Sequence, residues 1–497
     1  MKEKSISKSK YCNGIQCPKI LWLKQHKPEV FDSSVVNEGV LETGSEVGDL
    51  AMGLFGDYVE VPYGNLSVMK KITRDLIADD IPVIAEASFS FDGLFCSVDI
   101  LKNKGNNHFE LYEVKSSTEV HEIYYHDVSF QVYVLTELGY EVDKACVVYI
   151  NNKYVRHGEL NLKKLFAIKD ITEEAKAAHD QVAENVAVFR EYLRKRKEPE
   201  KDLSLDCFNP YACGFFKYCS RNLPEPNVFD LAGVQVKKQM DYYKEGLISF
   251  EDLYHSGVLK EKPMMQIEHE LYPVEDHIEV NPIKKFLDTL SYPIYHLDFE
   301  TFQPAVPLYD DSVPYEQIPF QYSLHYQLEK GGKLYHKEFL AYPGKDPRRD
   351  VAERLCLDIQ ADACVLAYNM AFEKTRIKKL ASLYPDLSEH LMSIHDNMKD
   401  LIIPFQKRWY YTKAMQGSFS IKYVLPALFP GDPELDYHNL EGVHNGAEAA
   451  NTFKQMAKMD ADTLEEYRHY LLKYCELDTY AMVKVLQKLE QIIEQSE

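Results

Sequence analysis

The chain has 497 residues and a formal net charge of −21, and 45% of its residues are hydrophobic and 27% are charged. This composition excludes a collagen-like or disordered chain and is sufficient for two or three packed domains. The acidic balance argues against a protein that coats nucleic acid by charge alone, but it leaves open a nuclease whose acids hold divalent cations.

The first segment, MKEKSISKSKYCNG, is basic, and no apolar signal core follows it. The sequence also lacks an apolar run long enough to span a bilayer. We therefore expect a cytoplasmic protein without a membrane partner. In that compartment the ten cysteines are expected to serve as thiols or metal ligands rather than as a disulfide framework.

Residues 1–225 are predicted to form a first domain that mixes helices and strands. The segments SVDILK and FELYEVKSS flank the turn NKGNN and predict a hairpin. Asp99 lies on the first strand, and Glu113 and Lys115 lie two residues apart on the second, so this pair shares one face. The acids can hold Mg²⁺ or Mn²⁺, and the lysine can polarise a water molecule. A solvated strand edge would give the same letters.

A helix, YHDVSFQVYVLTELGY, is predicted to follow and to bring Gln131 toward this face. The order Asp99, Glu113-x-Lys115 and Gln131 resembles the RecB-like branch of the PD-(D/E)XK nuclease superfamily. The resemblance implies a restriction-endonuclease-like fold in which these four residues are catalytic. It also implies that Asp99 and Glu113 are metal ligands.

The segment LETGSEVGDLA departs from that superfamily. Many relatives have a further histidine ligand on an earlier helix, and Gly48 stands where we expect it. Glu46 and Glu86 are the candidate substitutes.

Four cysteines could clamp the two ends of the first domain together. Cys17 stands in GIQCPKILWL, and Cys207, Cys213 and Cys219 stand in CFNPYACGFFKYC. Four thiolates suit a [4Fe–4S] cluster or Zn²⁺, although zinc sites more often use pairs spaced by two. The arrangement resembles the iron–sulfur RecB-like nucleases, including CRISPR-associated exonucleases, and this implies the cluster, with Zn²⁺ as the alternative. Cys12 could replace Cys17 as the first ligand.

Residues 226–285 are polar and are predicted to form a helical connector. A second α/β domain is predicted over residues 286–497. Its last segment, DADTLEEYRHYLLKYCELDTYAMVKVLQKLEQIIEQ, has apolar residues recurring at three and four and is predicted to form two helices.

The second domain has its own set of acids. Asp298 and Glu300 lie two apart in the predicted strand IYHLDFETF and share a face, which is costly without a cation, although a solvated strand end would also give this pair. Glu373 follows a short strand at a strand-to-helix junction, where α/β enzymes place chemistry. Tyr474 and Asp478 lie four apart on a helix. Four acids could hold two divalent metals, and the tyrosine could orient the attacking water.

The segments LDFET, YNMAFEKTRI and YCELD resemble the DnaQ-like, DEDD-type 3′–5′ exonucleases, which have an RNase H-like fold. The resemblance implies that the four acids bind metal and that Tyr474 is catalytic, as in the tyrosine subgroup. The histidine subgroup would need a histidine at Lys473. Glu373 departs from the pattern, which usually has Asp there. Asp400, in MKDLI, resembles an extra acid common in this family, or it is an exposed helix acid.

These patterns together predict a metal-dependent DNA nuclease with two active sites, one of them a 3′–5′ exonuclease, that processes single-stranded DNA or DNA ends in repair, recombination or defence. The alternatives are an RNA 3′–5′ exonuclease and a non-catalytic nucleic-acid-binding scaffold. The segments SKSKYCNGIQCPKILWL and GSFSIKYVLPAL also resemble a bacterial family of unknown function.

Overall fold

The computed structural model describes residues 5–35 and 38–496. The chain divides into two compact units, each of which combines helices with a β-sheet, as expected of an α/β protein. Unit 1 comprises Met1–Leu223 and Pro304–Glu316, and unit 2 comprises Pro224–Gln303 and Gln317–Glu497. The helices of the predicted connector therefore group with unit 2.

The elements of unit 1 are, in chain order, β1 (Ile6–Ser7), α1 (Lys8–Gln16), α2 (Pro18–His26), α3 (Glu38–Met52), β2 (Val59–Glu60), α4 (Leu66–Ala78), β3 (Val83–Phe91), β4 (Leu94–Asn103), β5 (His108–Lys115), α5 (Glu122–Glu137), β6 (Glu141–Ile150), α6 (Leu162–Leu165), β7 (Phe166–Asp170), α7 (Thr172–Ala177), α8 (His179–Arg194) and α9 (Phe216–Cys219).

The sheet of unit 1 has the order β2-β3-β4-β5-β6-β7, and β1 pairs in parallel with the start of β4. The predicted hairpin is confirmed, because β4 and β5 are antiparallel across the NKGNN turn. Gly105, Asn106 and Asn107 all have positive φ there, a conformation that Gly and Asn adopt at low cost.

Helices cover both faces of this sheet. Phe130 of α5 and Phe189 of α8 are buried in the core on one face, and Val47 of α3 packs with Ile100 of β4 on the other. The sheet is therefore buried on both sides, and charged groups between its strands and helices are removed from solvent.

The elements of unit 2 are, in chain order, α10 (Val236–Lys244), α11 (Phe250–Ser256), α12 (Glu261–Leu271), β8 (His277–Ile278), α13 (Val280–Leu287), β9 (Ile294–Phe302), β10 (Ile318–Gln327), β11 (Tyr335–Leu340), α14 (Arg348–Asp358), β12 (Cys364–Ala367), α15 (Ala371–Leu383), α16 (Ser388–Asp396), β13 (Met398–Asp400), α17 (Ile403–Gln406), β14 (Tyr410–Tyr411), α18 (Ile421–Leu428), α19 (Gly446–Met456) and α20 (Ala461–Ser496).

The main sheet of unit 2 has the order β11-β10-β9-β12-β13, in which β11, β10 and β9 are antiparallel neighbours and β9, β12 and β13 are parallel ones. The strand predicted at IYHLDFETF is confirmed as β9. Its residues alternate between two faces. Leu297 and Phe299 pack into a core with Ile377 of α15, and Asp298 and Glu300 point to the other face, over which α20 lies.

The prediction of two helices at the end of the chain is wrong, because the structure has the single helix α20 of 36 residues there. The segment contains neither Gly nor Pro, so no residue within it favours a break. Its buried residues include Leu471, Ala481 and Leu489, so one face remains apolar over several turns.

Within the described part of the chain, every helix is too short or too polar to cross a bilayer.

Candidate metal centres

Three carboxylates converge in unit 2. Asp298 and Glu300 lie on β9, and Asp478 lies on α20, which packs over the same face. One carboxylate oxygen from each residue lies within 4.8 Å of the others. This set was predicted from a spacing of two residues on the strand and of four on the helix. The fold brings these side chains of the strand and the helix to one place. The three acids together could hold a metal ion.

The charges of these three acids oppose one another. Burial raises the pKa of Asp298 well above its usual range, and the charges of Asp478 and Glu300 raise it further. Burial also raises the pKa of Glu300, and Asp478 adds to the effect. One buried and two half-buried carboxylates this close cannot all ionise without a compensating cation. A divalent metal fits the oxygen-only donor set.

Glu373 lies beside this set, in the first turn of α15. Its side chain is buried, and its Oε2 has no hydrogen-bond partner among the described residues. Burial raises its pKa to about 8, and its charge raises the pKa values of Asp298 and Glu300. An unpartnered buried carboxylate oxygen is costly, and a cation would offset this cost.

Asp400 ends β13 and is half-buried, so the alternative that it is an exposed helix acid is wrong. Its charge contributes to the raised pKa of Glu373, and its role as an extra acid of the site stays a prediction. Its carboxylate accepts backbone N–H groups from Asn369 at 2.9 Å, Met370 at 3.1 Å and Ile402 at 3.2 Å. Asn369 has φ +75°, so Asp400 holds the strained turn that precedes α15 and Glu373.

Two tyrosines contact Asp478. The hydroxyl of Tyr437 donates to Asp478 Oδ1 at 2.6 Å. Tyr474, one turn before Asp478 on α20, is also buried. Burial raises the pKa of Asp478 to about 6, and hydrogen bonds from Tyr437 and Tyr474 limit the rise. Sequence analysis missed Tyr437, because the Gly- and Pro-rich segment GDPELDYHNLEG gives no periodicity that relates it to the acids.

A cavity of about 650 Å³ is lined by Lys422 of α18 and by Tyr437, together with the segment that precedes α19. The four acids do not line it, but Tyr437 donates to Asp478. The ammonium group of Lys422 lowers the pKa values of Glu300 and Asp478, so it lies within electrostatic range of both. The first residue of α19 also approaches closely, since a Cβ at Gly446 would lie 3.5 Å from Glu300 Oε2. Lys422 and Tyr437 therefore connect the cavity with the acids.

The raised pKa values in unit 2 predict how stability depends on pH. In metal-free protein, folded Glu373 keeps its proton up to about pH 8 and folded Asp478 up to about pH 6, whereas both lose it near pH 4 when unfolded. The folded state then binds more protons, so the free energy of unfolding falls as pH rises through this window. We expect the thermal midpoint of unit 2 to be lower at pH 8 than at pH 6.

Mn²⁺ and Asp298→Asn are the controls for this prediction. Mn²⁺ binds deprotonated carboxylates and should stabilise the chain more at pH 8 than at pH 6. Asp298→Asn removes one of the opposed charges and should flatten the metal-free dependence. A metal-free midpoint that rises between pH 6 and pH 8 would contradict the prediction.

In unit 1 the four predicted residues also come together. The carboxylate of Glu113 on β5 accepts from Lys115 Nζ at 2.7 Å and from Gln131 Nε2 of α5 at 2.8 Å. Asp99 on β4 accepts the backbone N–H of Val114 at 2.7 Å through Oδ2. The predicted constellation is therefore one connected polar group.

Two members of this group were missed. Lys8 Nζ of α1 lies 2.7 Å from Glu113 Oε1 and 3.6 Å from Asp99 Oδ1. Asp127 of α5 accepts from Lys115 Nζ at 2.6 Å and from Gln131 Nε2 at 3.0 Å. Asp127 precedes Gln131 by four residues, so helical spacing could have found it, whereas no local pattern relates Lys8 to β5.

The electrostatics of unit 1 therefore differ from those of unit 2. Burial would raise the pKa of Glu113, but the ammonium groups of Lys115 and Lys8 hold it well below its usual range. Burial raises the pKa of Asp99 to about 7, and the charge of Glu113 contributes. Two lysines already neutralise much of this acid group, so a metal at Asp99 and Glu113 would compete with Lys8 for the same oxygens.

The two candidate substitutes for the missing histidine lie in different environments. Glu46 is exposed on α3. Glu86 is half-buried and has φ +54° on β3, and its pKa is raised by burial and by Glu113 and lowered by Lys8. Glu86 is therefore the one within electrostatic range of the acid group.

All ten cysteines are free thiols. Cys17, Cys213 and Cys219 border one hydrophobic cluster around Trp22, and the N–H of Cys213 donates to the carbonyl of Cys207 at 2.9 Å. Burial raises the pKa of Cys207 to about 11, and the other three thiols contribute. The four predicted ligands are therefore neighbours in unit 1.

Cys12 lies elsewhere. The groups that shift its pKa, after burial, are Asp127, Lys115, Lys8 and Glu113, so it adjoins the acid and lysine group. The structure thus separates Cys12 from the four-cysteine set. Among the described residues, sets of three or more ligand atoms within 4.8 Å of one another do not include the cysteines.

Comparison with known proteins finds similarity without an assigned activity. A family described as a domain of unknown function (DUF2779) matches residues 295–420, a range that contains Asp298, Glu300 and Glu373 but ends before Asp478. No solved structure matches the chain.

Three bacterial proteins are similar in sequence. "Uncharacterized protein MG366" of Mycoplasma genitalium is 24% identical over 233 residues, which cover 44% of this chain and 35% of that protein. Its homolog in Mycoplasma pneumoniae is 22% identical over 454 residues, which cover 79% of this chain and 68% of that protein. "Uncharacterized protein UU173" of Ureaplasma parvum is 24% identical over 223 residues, or 40% of this chain and 32% of that protein.

Proposed function

We propose that unit 2 is a metal-dependent 3′–5′ exonuclease that acts on single-stranded DNA or DNA ends, in DNA end processing. The observation behind this proposal is the convergence of Asp298, Glu300 and Asp478 within 4.8 Å, beside buried Glu373. The sheet order, with β9 central and flanked by one antiparallel and one parallel neighbour, supports an RNase H-like unit.

The residues of the site in unit 2 would have separate roles. Asp298, Glu300, Glu373 and Asp478 would hold the divalent ions, which when bound supply an activated water molecule and stabilise the leaving oxygen. Tyr437 fixes the carboxylate of Asp478 through its 2.6 Å hydrogen bond.

The remaining groups would act on the water and the substrate. Burial and nearby acids raise the pKa of Tyr474 far above neutrality, so its hydroxyl keeps its proton and can orient the attacking water. Lys422 would neutralise a phosphate in the cavity. The cavity volume of about 650 Å³ is in the range of small-molecule sites, so the cavity would accommodate a terminal nucleotide.

Tyr474→Phe tests the role of that hydroxyl. We expect the turnover of the exonuclease to fall by about 10²-fold, because a positioned polar group at the reacting water contributes this much in related chemistry. The expected change is in the rate at saturating DNA, measured by single-turnover trimming of a 5′-labelled strand.

Tyr470→Phe is the matched control. Tyr470 lies one turn earlier on the same helix, and its hydroxyl donates to Glu466 rather than to an acid of the site. Its variant should retain the wild-type rate. Equal rates for Tyr474→Phe and Tyr470→Phe would remove Tyr474 from the mechanism.

RNA is the second candidate substrate. The acids contact the phosphate and not the sugar, so they do not distinguish the two nucleic acids. Matched DNA and RNA strands of one sequence, incubated with Mn²⁺ and with a chelator control, separate the two. Faster trimming of RNA would reassign the substrate, and persistence of trimming in the chelator would contradict metal dependence.

Unit 1 is proposed to hold the second active site. Asp99 and Glu113 would bind metal, and Lys115 would polarise the water. Lys115 is held by Asp127, which in turn accepts a hydrogen bond from Gln131. The connected group around Glu113 supports this role. Lys8 favours the other candidate, a nucleic-acid-binding scaffold without catalysis, because it already neutralises Glu113. Metal-dependent cleavage that Asp298→Asn leaves intact and Lys115→Ala removes would support the catalytic role.

Cys17, Cys207, Cys213 and Cys219 are proposed to hold a [4Fe–4S] cluster, with Zn²⁺ as the alternative. Their position around one hydrophobic cluster of unit 1 supports a structural group rather than a catalytic one. Iron and labile sulfide in anaerobically purified protein would distinguish the cluster from zinc.

A further inference from the structure

A second group of potential ligands in unit 2 has no part in the proposed nuclease chemistry. His325 on β10 lies directly opposite His336 on β11, and their rings stack with centroids 4.5 Å apart. Glu476 belongs to α20. One ligand atom from each of these three side chains lies within 4.8 Å of the others. Three separate elements therefore contribute to one cluster.

Hydrogen bonds connect both rings of this cluster to hydroxyl groups. His325 Nδ1 lies 2.8 Å from Thr479 Oγ1, and His336 Nε2 lies 3.0 Å from Ser323 Oγ. The two hydroxyl oxygens lie 2.7 Å apart, and Thr479 Oγ1 also lies 3.2 Å from the carbonyl oxygen of Glu476. Each ring therefore has one nitrogen paired with a hydroxyl group.

This arrangement leaves the other nitrogen of each ring, His325 Nε2 and His336 Nδ1, for a metal ion. In the tautomer whose hydroxyl-bonded nitrogen carries the proton, that other nitrogen presents a lone pair. In metal-binding histidines, the ring nitrogen that does not bind the metal usually forms a hydrogen bond with a polar group. This hydrogen bond fixes the tautomer and the orientation of the ring. Burial of His325 and the proximity of His336 lower the pKa of His325 to about 4, so this ring is neutral at pH 7.

Glu476 supplies the third ligand atom. Lys473 Nζ lies 2.7 Å from its Oε2, whereas its Oε1 lies 3.9 Å from His336 Nδ1. One oxygen therefore pairs with a lysine, and the other faces the histidine. Tetrahedral zinc with bonds of about 2.0–2.1 Å would place ligand atoms about 3.4 Å apart, so the three atoms need only small movements to close around an ion.

Access and a fourth coordination position are also present. A cavity of about 420 Å³ is lined by His325 and Glu476, together with Lys473 and Tyr480. An ion can therefore enter from this side, and water can complete its coordination.

We propose that His325, His336 and Glu476 bind a borderline transition-metal ion of the Zn²⁺ class, separate from the ions at the four acids. Two imidazoles and one carboxylate suit Zn²⁺, whereas the all-oxygen acid set suits Mg²⁺ or Mn²⁺. The ion ties β11, which is the edge strand of the sheet, to β10 and α20. Because α20 also holds Tyr474 and Asp478, the ion fixes the helix that supplies them. This proposal does not depend on the nuclease activity.

The test counts zinc ions bound by the full-length chain. The protein is titrated with Zn²⁺ against a chromophoric chelator, and the bound metal is measured after gel filtration. We expect His336→Ala and Glu476→Gln each to bind one zinc ion fewer per chain than the wild type, and His469→Gln, an exposed histidine of α20, to match the wild type. Sites at the cysteines or the four acids contribute equally to all four proteins.

The change in thermal midpoint on addition of Zn²⁺ is a second measurement, which tests the site if a variant folds poorly. Zn²⁺ should raise the thermal midpoint of the wild type and of Asp298→Asn more than that of His336→Ala. This result would hold even if the nuclease proposal failed. Equal zinc content in the wild type and His336→Ala, or an equal rise of their midpoints, would overturn the site.

Discussion

Asp298→Asn is expected to lower the rate of 3′ trimming by about 10³-fold, because it removes a ligand charge from the centre of the acid set. Asp298 lies within 4.8 Å of both Glu300 and Asp478, and its pKa is raised by burial and by both of their charges. Asn has nearly the same shape, so the fold should persist. The measurement is the single-turnover rate on 5′-labelled single-stranded DNA at saturating Mn²⁺.

Glu465→Gln is the matched control for this loss. Glu465 is an exposed acid on α20 that pairs with Arg468 rather than with an acid of the site, and its variant should trim at the wild-type rate. The thermal midpoint of each protein, measured without metal, checks the fold. Trimming by Asp298→Asn within tenfold of the wild type would remove Asp298 from the active site.

The second large effect is on stability. Cys213→Ser is expected to lower the thermal midpoint of unit 1 by more than about 10 °C, because a structural metal group contributes folding free energy directly. Cys213 borders the cluster around Trp22 with Cys17 and Cys219. The iron content and visible absorbance of anaerobically purified protein should fall with the midpoint.

Cys12→Ser separates this effect from the loss of any buried thiol. Cys12 is half-buried in the same unit, but it adjoins Asp127 rather than the other cysteines. Its variant should keep the wild-type iron content. If Cys12→Ser loses the iron and Cys17→Ser keeps it, the first ligand has been misassigned; if Cys213→Ser keeps both iron and midpoint, the clamp does not exist.

Sequence periodicity was sufficient where both partners lie on regular elements. A spacing of two on β9 and of four on α20 predicted which side chains of unit 2 share a face, and the alternation of Leu297 and Phe299 with Asp298 and Glu300 follows from the same rule. The hairpin of unit 1 was predictable because NKGNN contains the residues that tolerate positive φ.

Long-range contacts were not predictable in this way. Lys8 is 105 residues from Glu113, and Tyr437 is 41 residues from Asp478 in an irregular segment. Neither has a spacing rule that relates it to its partner. The backbone contacts of Asp400 were not predictable either, because two of its three backbone donors, Asn369 and Met370, lie in a turn whose shape depends on the positive φ of Asn369.

The histidine cluster also illustrates this limit. His325 and His336 are isolated letters in the sequence, and only the pairing of β10 with β11 makes them neighbours. Glu476 is two residues from Asp478, within a segment already explained by the exonuclease resemblance.

Unit 2 is proposed to remove nucleotides from 3′ ends with divalent metal. The most direct test digests 5′-labelled and 3′-labelled single-stranded DNA with anaerobically purified protein in Mg²⁺ or Mn²⁺, beside Asp298→Asn and Lys115→Ala. We expect the 5′-labelled strand to give a ladder that shortens progressively and the 3′-labelled strand to release its label immediately. Both results should be lost in Asp298→Asn and retained in Lys115→Ala. No cleavage of DNA or RNA by the wild-type protein in either metal would contradict this proposal and favour the binding scaffold.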